Sequence, residues 1–274
     1  MLFVLLIIQG LHGKLVHNHD NLLGKGMAGK VYIENGKAKK SARIRYRPFS
    51  TIMVRREIEY CRRVKDVPNC IDTTDEDVQN ASFKMEICQD TLNTALLNKE
   101  QRDAFDIKSF MYSMLTTLDI LHTTKNIAHM DVKPKNILKC NGSYKLSDFG
   151  NARDASKTLR MNFAFHPYSP PEIWSGRTIY PTKVDVFSIG AIIDAFYSEG
   201  IRKYKYTTLK QLEFEKDSRE DLIKWMLLKE PQLRPTAAEA LAHPFLSNIP
   251  YFVGHSFKAA LEKQTEKIYC TKCF

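Results

Sequence analysis

The 274-residue chain has no internal repeat and no low-complexity stretch, which excludes a solenoid and a largely disordered protein. It also lacks an apolar run that could cross a bilayer, since Leu2 to Ile8 falls short of the about 20 residues a spanning helix needs. No basic stretch precedes that run and only Gly10 or Gly13 could serve as a cleavage site. An extra N-terminal strand or a mis-assigned start is therefore expected in preference to a secretory signal. The sequons Asn80-Ala-Ser82 and Asn141-Gly-Ser143 carry meaning only in a secreted chain. Cysteine is sparse: residues 61, 70, 88, 140, 270 and 273 show no regular framework, so a reduced, intracellular protein of cytoplasm or nucleus is expected over a disulfide scaffold. Cys270-Thr-Lys-Cys273 has no second pair and no histidine pair to complete a metal site, and reads as a free tail-end pair. Long polybasic tails are missing too. The net charge of +10 is spread over short clusters such as Lys37, Lys39, Lys40 and Arg43, Arg45, Arg47, which fits a solvated face and no specific nucleic-acid binding.

What is present is an ordinary globular composition, 43% hydrophobic and 26% charged, in a chain long enough for one large domain or two small lobes. From Leu22 to Arg43 the pattern reads strand, Gly-rich turn, strand, Asn35-Gly36 turn, strand. A helix is predicted over about Thr51–Val64 with Ser50 as its N-cap, and two further strands lie between Cys70 and Cys88. Beyond Asp90, helical spacing takes over: Ile107, Phe110, Met111, Met114, Leu115, Leu118 and Leu121 share one face, with Asp106 placed to cap. Further helices start near Thr182 and Asp221. Strands first and helices after imply an α+β fold of two lobes with a cleft between them.

Gly24-Lys25-Gly26-Met-Ala-Gly29-Lys-Val31 is a GxGxxGxV run whose missing side chains let backbone N–H groups approach phosphate oxygens. Dinucleotide-binding folds use the same spacing before a helix, but here it leads into a hairpin. A two-residue Asn35-Gly36 turn pairs Val31 with Lys40 and Ile33 with Ala38, so Val31, Ile33, Ala38 and Lys40 share one face and Tyr32 and Lys39 the other.

His129-Met-Asp131-Val-Lys133-Pro-Lys135-Asn136, followed by Asp148-Phe149-Gly150, resembles the catalytic loop and magnesium motif of eukaryotic-type protein kinases. Pro170-Pro171-Glu172, Asp185-Val-Phe-Ser-Ile-Gly190, and Arg234 ahead of His243-Pro-Phe extend the resemblance over about Asn21 to Leu246. It implies a bilobal kinase domain at 19–246, with a β-rich N-lobe at 19–88 and a helical C-lobe at 89–246. This domain is flanked by an apolar extension at 1–18 and a tail at 247–274. The tail carries Phe257, Leu261 and Ile268 at amphipathic-helix spacing, a pattern suited equally to docking on the lobe or on a partner.

The resemblance also implies ATP and Mg2+ as cofactors and a Ser/Thr-directed reaction, because Lys133 matches that branch of the family. Lys40 would hold the α and β phosphates, paired with Glu57 or its rival Glu59, while Val31 and Ala38 roof the adenine. Glu57 and Glu59 lie about 200° apart on a helix, so only one can face the cleft, and the Arg-Glu-Ile context favours Glu57. Met85 would be the gatekeeper, Glu86 to Cys88 the hinge and Leu138 the floor, although Met85 and Leu138 equally suit plain core positions. Asp131 would orient the substrate hydroxyl, Lys133 steady the γ-phosphate, and Asn136 and Asp148 ligate magnesium. Glu172 and Arg234 would form a buried ion pair, and Asp185 would hold the catalytic loop.

Three departures matter. Met130 replaces the Arg that usually receives an activation-loop phosphate, so activity without phosphorylation of Ser156 or Thr158 is expected. Phe165 stands where a Thr commonly links the substrate loop to the catalytic Asp. Lys135 replaces the Glu with which many relatives read basic substrates, which suggests protein substrates with acidic flanks. The reduced segment between Tyr197 and Asp221 resembles compact virus-encoded kinases. A pseudokinase scaffold is the alternative reading, opposed by the presence of Lys40, Asp131, Lys133, Asn136 and Asp148 together.

Overall fold

The structure is a computed structural model and describes residues 21–26, 28–42, 47–160, 166–197 and 215–247. The apolar N-terminal run, Met27, Arg43, Arg45, Phe165, Cys270, Cys273 and the tail beyond Ser247 lie outside the described residues.

Five antiparallel strands open the fold: β1 (Leu22–Lys25), β2 (Gly29–Glu34), β3 (Lys37–Ala42), β4 (Thr73–Asp77) and β5 (Ser82–Met85), in the order β1-β2-β3-β5-β4. The β2–β3 turn has Asn35 and Gly36 at φ 53° and 73°, the left-handed pair that a two-residue hairpin needs. Its register is the one the turn dictates, with Val31 opposite Lys40 and Ile33 opposite Ala38. Gly29 is required for a reason the motif alone does not give. A Cβ there would stand 2.7 Å from the Ser41 carbonyl oxygen on β3, so its first task is to let two strands close.

Helix α1 runs Arg47–Arg63, starting about a turn before the predicted helix. Ser50 is consequently a buried residue inside the first turns and not the N-cap. Pro48 accounts for the early start, since its fixed φ and missing N–H suit a helix's first turn.

The helical half comprises α2 (Leu92–Leu97), α3 (Lys99–Asp103), α4 (Ile107–Asp119), α5 (Pro181–Tyr197), α6 (Arg219–Met226), α7 (Ala237–Leu241) and α8 (Pro244–Ser247). Asp106 caps α4 by accepting from Ser109 N–H at 3.0 Å. Short strands thread between these helices: β6 (Asp90–Thr91), β8 (Ile137–Cys140) and β9 (Ser143–Leu146) form one sheet, and β7 (Ile127–Ala128) pairs with β10 (Arg153–Asp154). The main core packs Met111, Leu115 and Leu118 of α4 against Val186, Ile189 and Ile193 of α5. Gly190 permits the approach of α6, because a Cβ at that position would meet Met226 Cβ at 2.9 Å.

One expectation is overturned. Cys88 and Cys140 are joined by a disulfide, with sulfurs 2.04 Å and Cα atoms 4.4 Å apart, so the cysteines are not all reduced. The pairing of β6 with β8 brings Cys88, two residues before β6, up to Cys140 at the end of β8, 52 residues further on, a proximity no local spacing reveals. Cys61 and Cys70 are free and buried.

Candidate active site

The roof of the cleft comes from the hairpin. Ala38 and Lys40 are buried on the inner face of β3, Lys37 on the outer face is exposed, and Val31 lies opposite Lys40 on β2. Gly24 and Lys25 end β1, with Lys25 exposed, and Gly26 N–H closes the turn onto Gly29 O at 2.8 Å. Met85 pairs with Ala38 across β3 and β5 and is followed by half-buried Glu86, Ile87 and Cys88. Leu138 on β8 packs with Ile71 and Cys140, and Met85 and Cys88 lie against the same cluster.

Lys40 Nζ is 2.8 Å from Glu57 Oε1, 2.6 Å from Glu57 Oε2 and 2.9 Å from Asp148 Oδ1, which joins β3, α1 and the Asp148 turn at one ammonium. The helix delivers Glu57 and not Glu59, which is exposed. Burial alone would lower the Lys40 pKa, but the two carboxylates more than offset it and leave the ammonium held above its ordinary value. Burial pushes Glu57 up to about 7, with Lys40 acting in the opposite direction. Asp148 has a left-handed backbone at φ 66°, and a Cβ at Gly150 would contact Met53 of α1 at 3.4 Å.

The loop after β7 is anchored by Asp185 of α5. Its carboxylate accepts from His129 N–H at 2.7 Å and Met130 N–H at 2.8 Å, and His122 Nε2 lies 3.0 Å away. Anchored in this way, Asp131 sits in a cage of donors. Lys133 Nζ reaches its two oxygens at 2.8 and 2.7 Å, Asn136 Nδ2 donates at 3.0 Å and Asn151 Nδ2 at 3.3 Å. His166 Nε2 lies 3.3 Å from Oδ1. Burial would raise the Asp131 carboxyl, but His166 and Lys133 outweigh it and hold the group well below the usual carboxylate range. Because Asn136 uses Nδ2 toward Asp131, its amide oxygen is the atom turned away from that carboxylate. This oxygen and the Asp148 carboxylate are hard donors of the kind Mg2+ takes.

Sequence reasoning did not single out His166 or Asn151. Asn151 follows Asp148-Phe149-Gly150 directly, while His166 offers no signal beyond its place next to Phe165. Met130 is buried with Ala128, Ile173, Ile179 and Val184, so an apolar cluster occupies the place where the resemblance implied a phosphate-binding Arg. Ser156 Oγ donates to Asp154 at 2.9 Å, an acidic neighbour that disfavours a phosphate there. Glu172 and Arg234 make the buried double contact, at 2.6 and 2.9 Å.

The protein kinase domain, a known domain family, matches residues 9–246, most of the chain. This chain belongs to the eukaryotic-type protein kinase family. Its two halves are accordingly the β-rich N-lobe and helical C-lobe of a bilobal α+β kinase fold. Among similar proteins, a Wee1-like protein kinase of Oryza sativa subsp. japonica is 31% identical over 178 residues, 61% of this chain and 33% of the relative. Serine/threonine-protein kinase PAK mbt of Drosophila melanogaster is 28% identical over 260 residues, 84% of this chain and 39% of the relative. A probable myosin light chain kinase of Dictyostelium discoideum is 33% identical over 158 residues, 51% of this chain and 32% of the relative. The kinase thus spans well under half the length of the curated relatives it matches.

Proposed function

We propose that this kinase transfers the γ-phosphoryl group of ATP to Ser/Thr hydroxyls of protein substrates, acting from a domain at 19–246. The observation that carries the reading is the single Lys40 ammonium held by Glu57 and Asp148, beside an Asp131 caged by Lys133 and Asn136. Phosphoryl transfer asks for positioning and charge neutralisation more than covalent chemistry, and these are fixed, pre-oriented charges. In this reading the backbone of residues 24–29 and Lys40 hold the phosphates, while Val31, Ala38, Met85, the Glu86–Cys88 hinge and Leu138 enclose the adenine. Asp131 orients the acceptor hydroxyl, and Lys133 leaves it to meet the γ-phosphate. Mg2+, held by Asn136 and Asp148, would supply charge neutralisation at the phosphates.

The pseudokinase alternative is disfavoured because the catalytic set is both complete and mutually oriented. Met130 and Asp154 support activity without loop phosphorylation, and half-buried Lys135 supports acidic flanks in the substrate. The corresponding place of action is inside the cell. No helix among the described residues is long and apolar enough to cross a membrane.

The test is radiolabel transfer from ATP and Mg2+ to casein, histone and a mixed lysate, with Asp131→Asn and Asp148→Asn as controls. Labelling by the unaltered chain alone is expected, with casein preferred. Nucleotide binding without any transfer would establish the scaffold instead.

A further inference from the structure

Cys88 ends the hinge segment that leaves β5, and Cys140 ends β8, two residues past Leu138. Other contacts already hold this corner. Gln89 N–H donates to Lys139 O at 2.9 Å, Asn141 N–H donates to Gln89 Oε1 at 2.9 Å, and Lys145 of β9 pairs with Glu86. With the sulfur bond broken, the β6–β8 pairing therefore survives and keeps the thiols near enough to rejoin. What loses its covalent anchor is the stretch Ile87–Cys88, since Glu86 keeps its pairing with Lys145 and Gln89 its bond to Lys139. Cys61 and Cys70 do not compete for an oxidant, because both are buried and burial pushes both thiols up, away from the reactive thiolate.

We propose that Cys88 and Cys140 are a reversible thiol–disulfide site on the hinge, whose oxidised form holds the Cys88 end of the adenine-reading segment against β8 and whose reduced form loosens that end. The exchange partner is a small-molecule disulfide such as glutathione disulfide. One cysteine thiolate attacks it and expels glutathione thiolate, leaving a mixed disulfide. The second thiolate attacks the protein sulfur of that bond and expels the second glutathione. The cysteine pair loses two electrons and two protons, and both end on two molecules of reduced glutathione. The effect on nucleotide binding rests on the ATP reading above, but the effect on the hinge does not.

The test equilibrates the full chain in glutathione disulfide or in reduced glutathione and makes three measurements. Peptide mapping should find Cys88 linked to Cys140 only in the oxidised sample. Hydrogen exchange at residues 86–91 should be slower in that sample, and a fluorescent adenine nucleotide should bind about threefold more tightly, as expected of a pre-organised site. In Cys140→Ser both differences should vanish. Absence of the linked peptide after oxidation, or equal exchange in the two forms, overturns the proposal. Unequal exchange with no nucleotide bound by either form upholds the redox site and overturns the ATP reading.

Discussion

Asp131 is where donors from four places in the chain converge: Lys133, Asn136, Asn151 and His166. Replacing it by Asn keeps the shape and removes the charge, and transfer should fall by about 10²–10⁴-fold in kcat, the range for a positioned acid–base group. His166 adds a prediction specific to this chain. Phe165 can offer no hydroxyl, and His166 Nε2 lies 3.3 Å from the Asp131 carboxylate, so in the proposed function His166 is the donor that ties its segment to that carboxylate. His166→Ala should lower kcat about tenfold with little change in the KM for ATP, and His166→Gln, which keeps an N–H donor, should restore most of it. Equal losses in both variants would show that the ring serves packing alone. At this scale the sequence pointed to residues that do meet in the structure: Lys40 contacts Glu57 and Asp148, and Asn136 contacts Asp131. His166 was not readable because its contact with Asp131 joins positions 35 residues apart that no motif spacing links.

Among the elements, the β2–β3 hairpin was the most legible, since a two-residue Asn-Gly turn leaves only one register and so decides which lysine points inward. The start of α1 was less so. An apolar pattern marks the middle of a helix, while Pro48 carried the start on to Arg47. The Cys88–Cys140 bond was invisible because β6 and β8 are short strands whose partners lie far apart in sequence. The hairpin gives a sharp test. In Gly29→Ala the new methyl would meet a backbone oxygen, which cannot swing away as a side chain can. The variant should be destabilised by about 1–3 kcal/mol in urea unfolding, and its β2–β3 amides should exchange faster.

For the whole molecule, acidity is the condition to vary. In the folded state Asp131 lies well below its ordinary value of 3.8, and Asp154 is lowered to about 2 by hydrogen bonds from Lys157 and Ser156. The unfolded chain therefore binds these protons more readily than the folded one, so their stabilisation is present above pH about 4 and is lost as pH falls below it. The urea midpoint should drop between pH 5 and pH 3, and less steeply in Asp154→Asn.

Arg234 donates all five of its N–H groups, to both Glu172 oxygens and to the carbonyls of Lys183, Leu228 and Lys229, and so rivets three stretches of the C-lobe. Arg234→Ala should cost about 3–5 kcal/mol in thermal unfolding, because it leaves a buried carboxylate without its partner. A cell carrying that substitution would transcribe and translate the protein normally and then lose it to its proteases. The defect would be one of abundance, relieved by growth at lower temperature or by raised expression, whereas neither remedy would rescue a cell carrying Asp131→Asn.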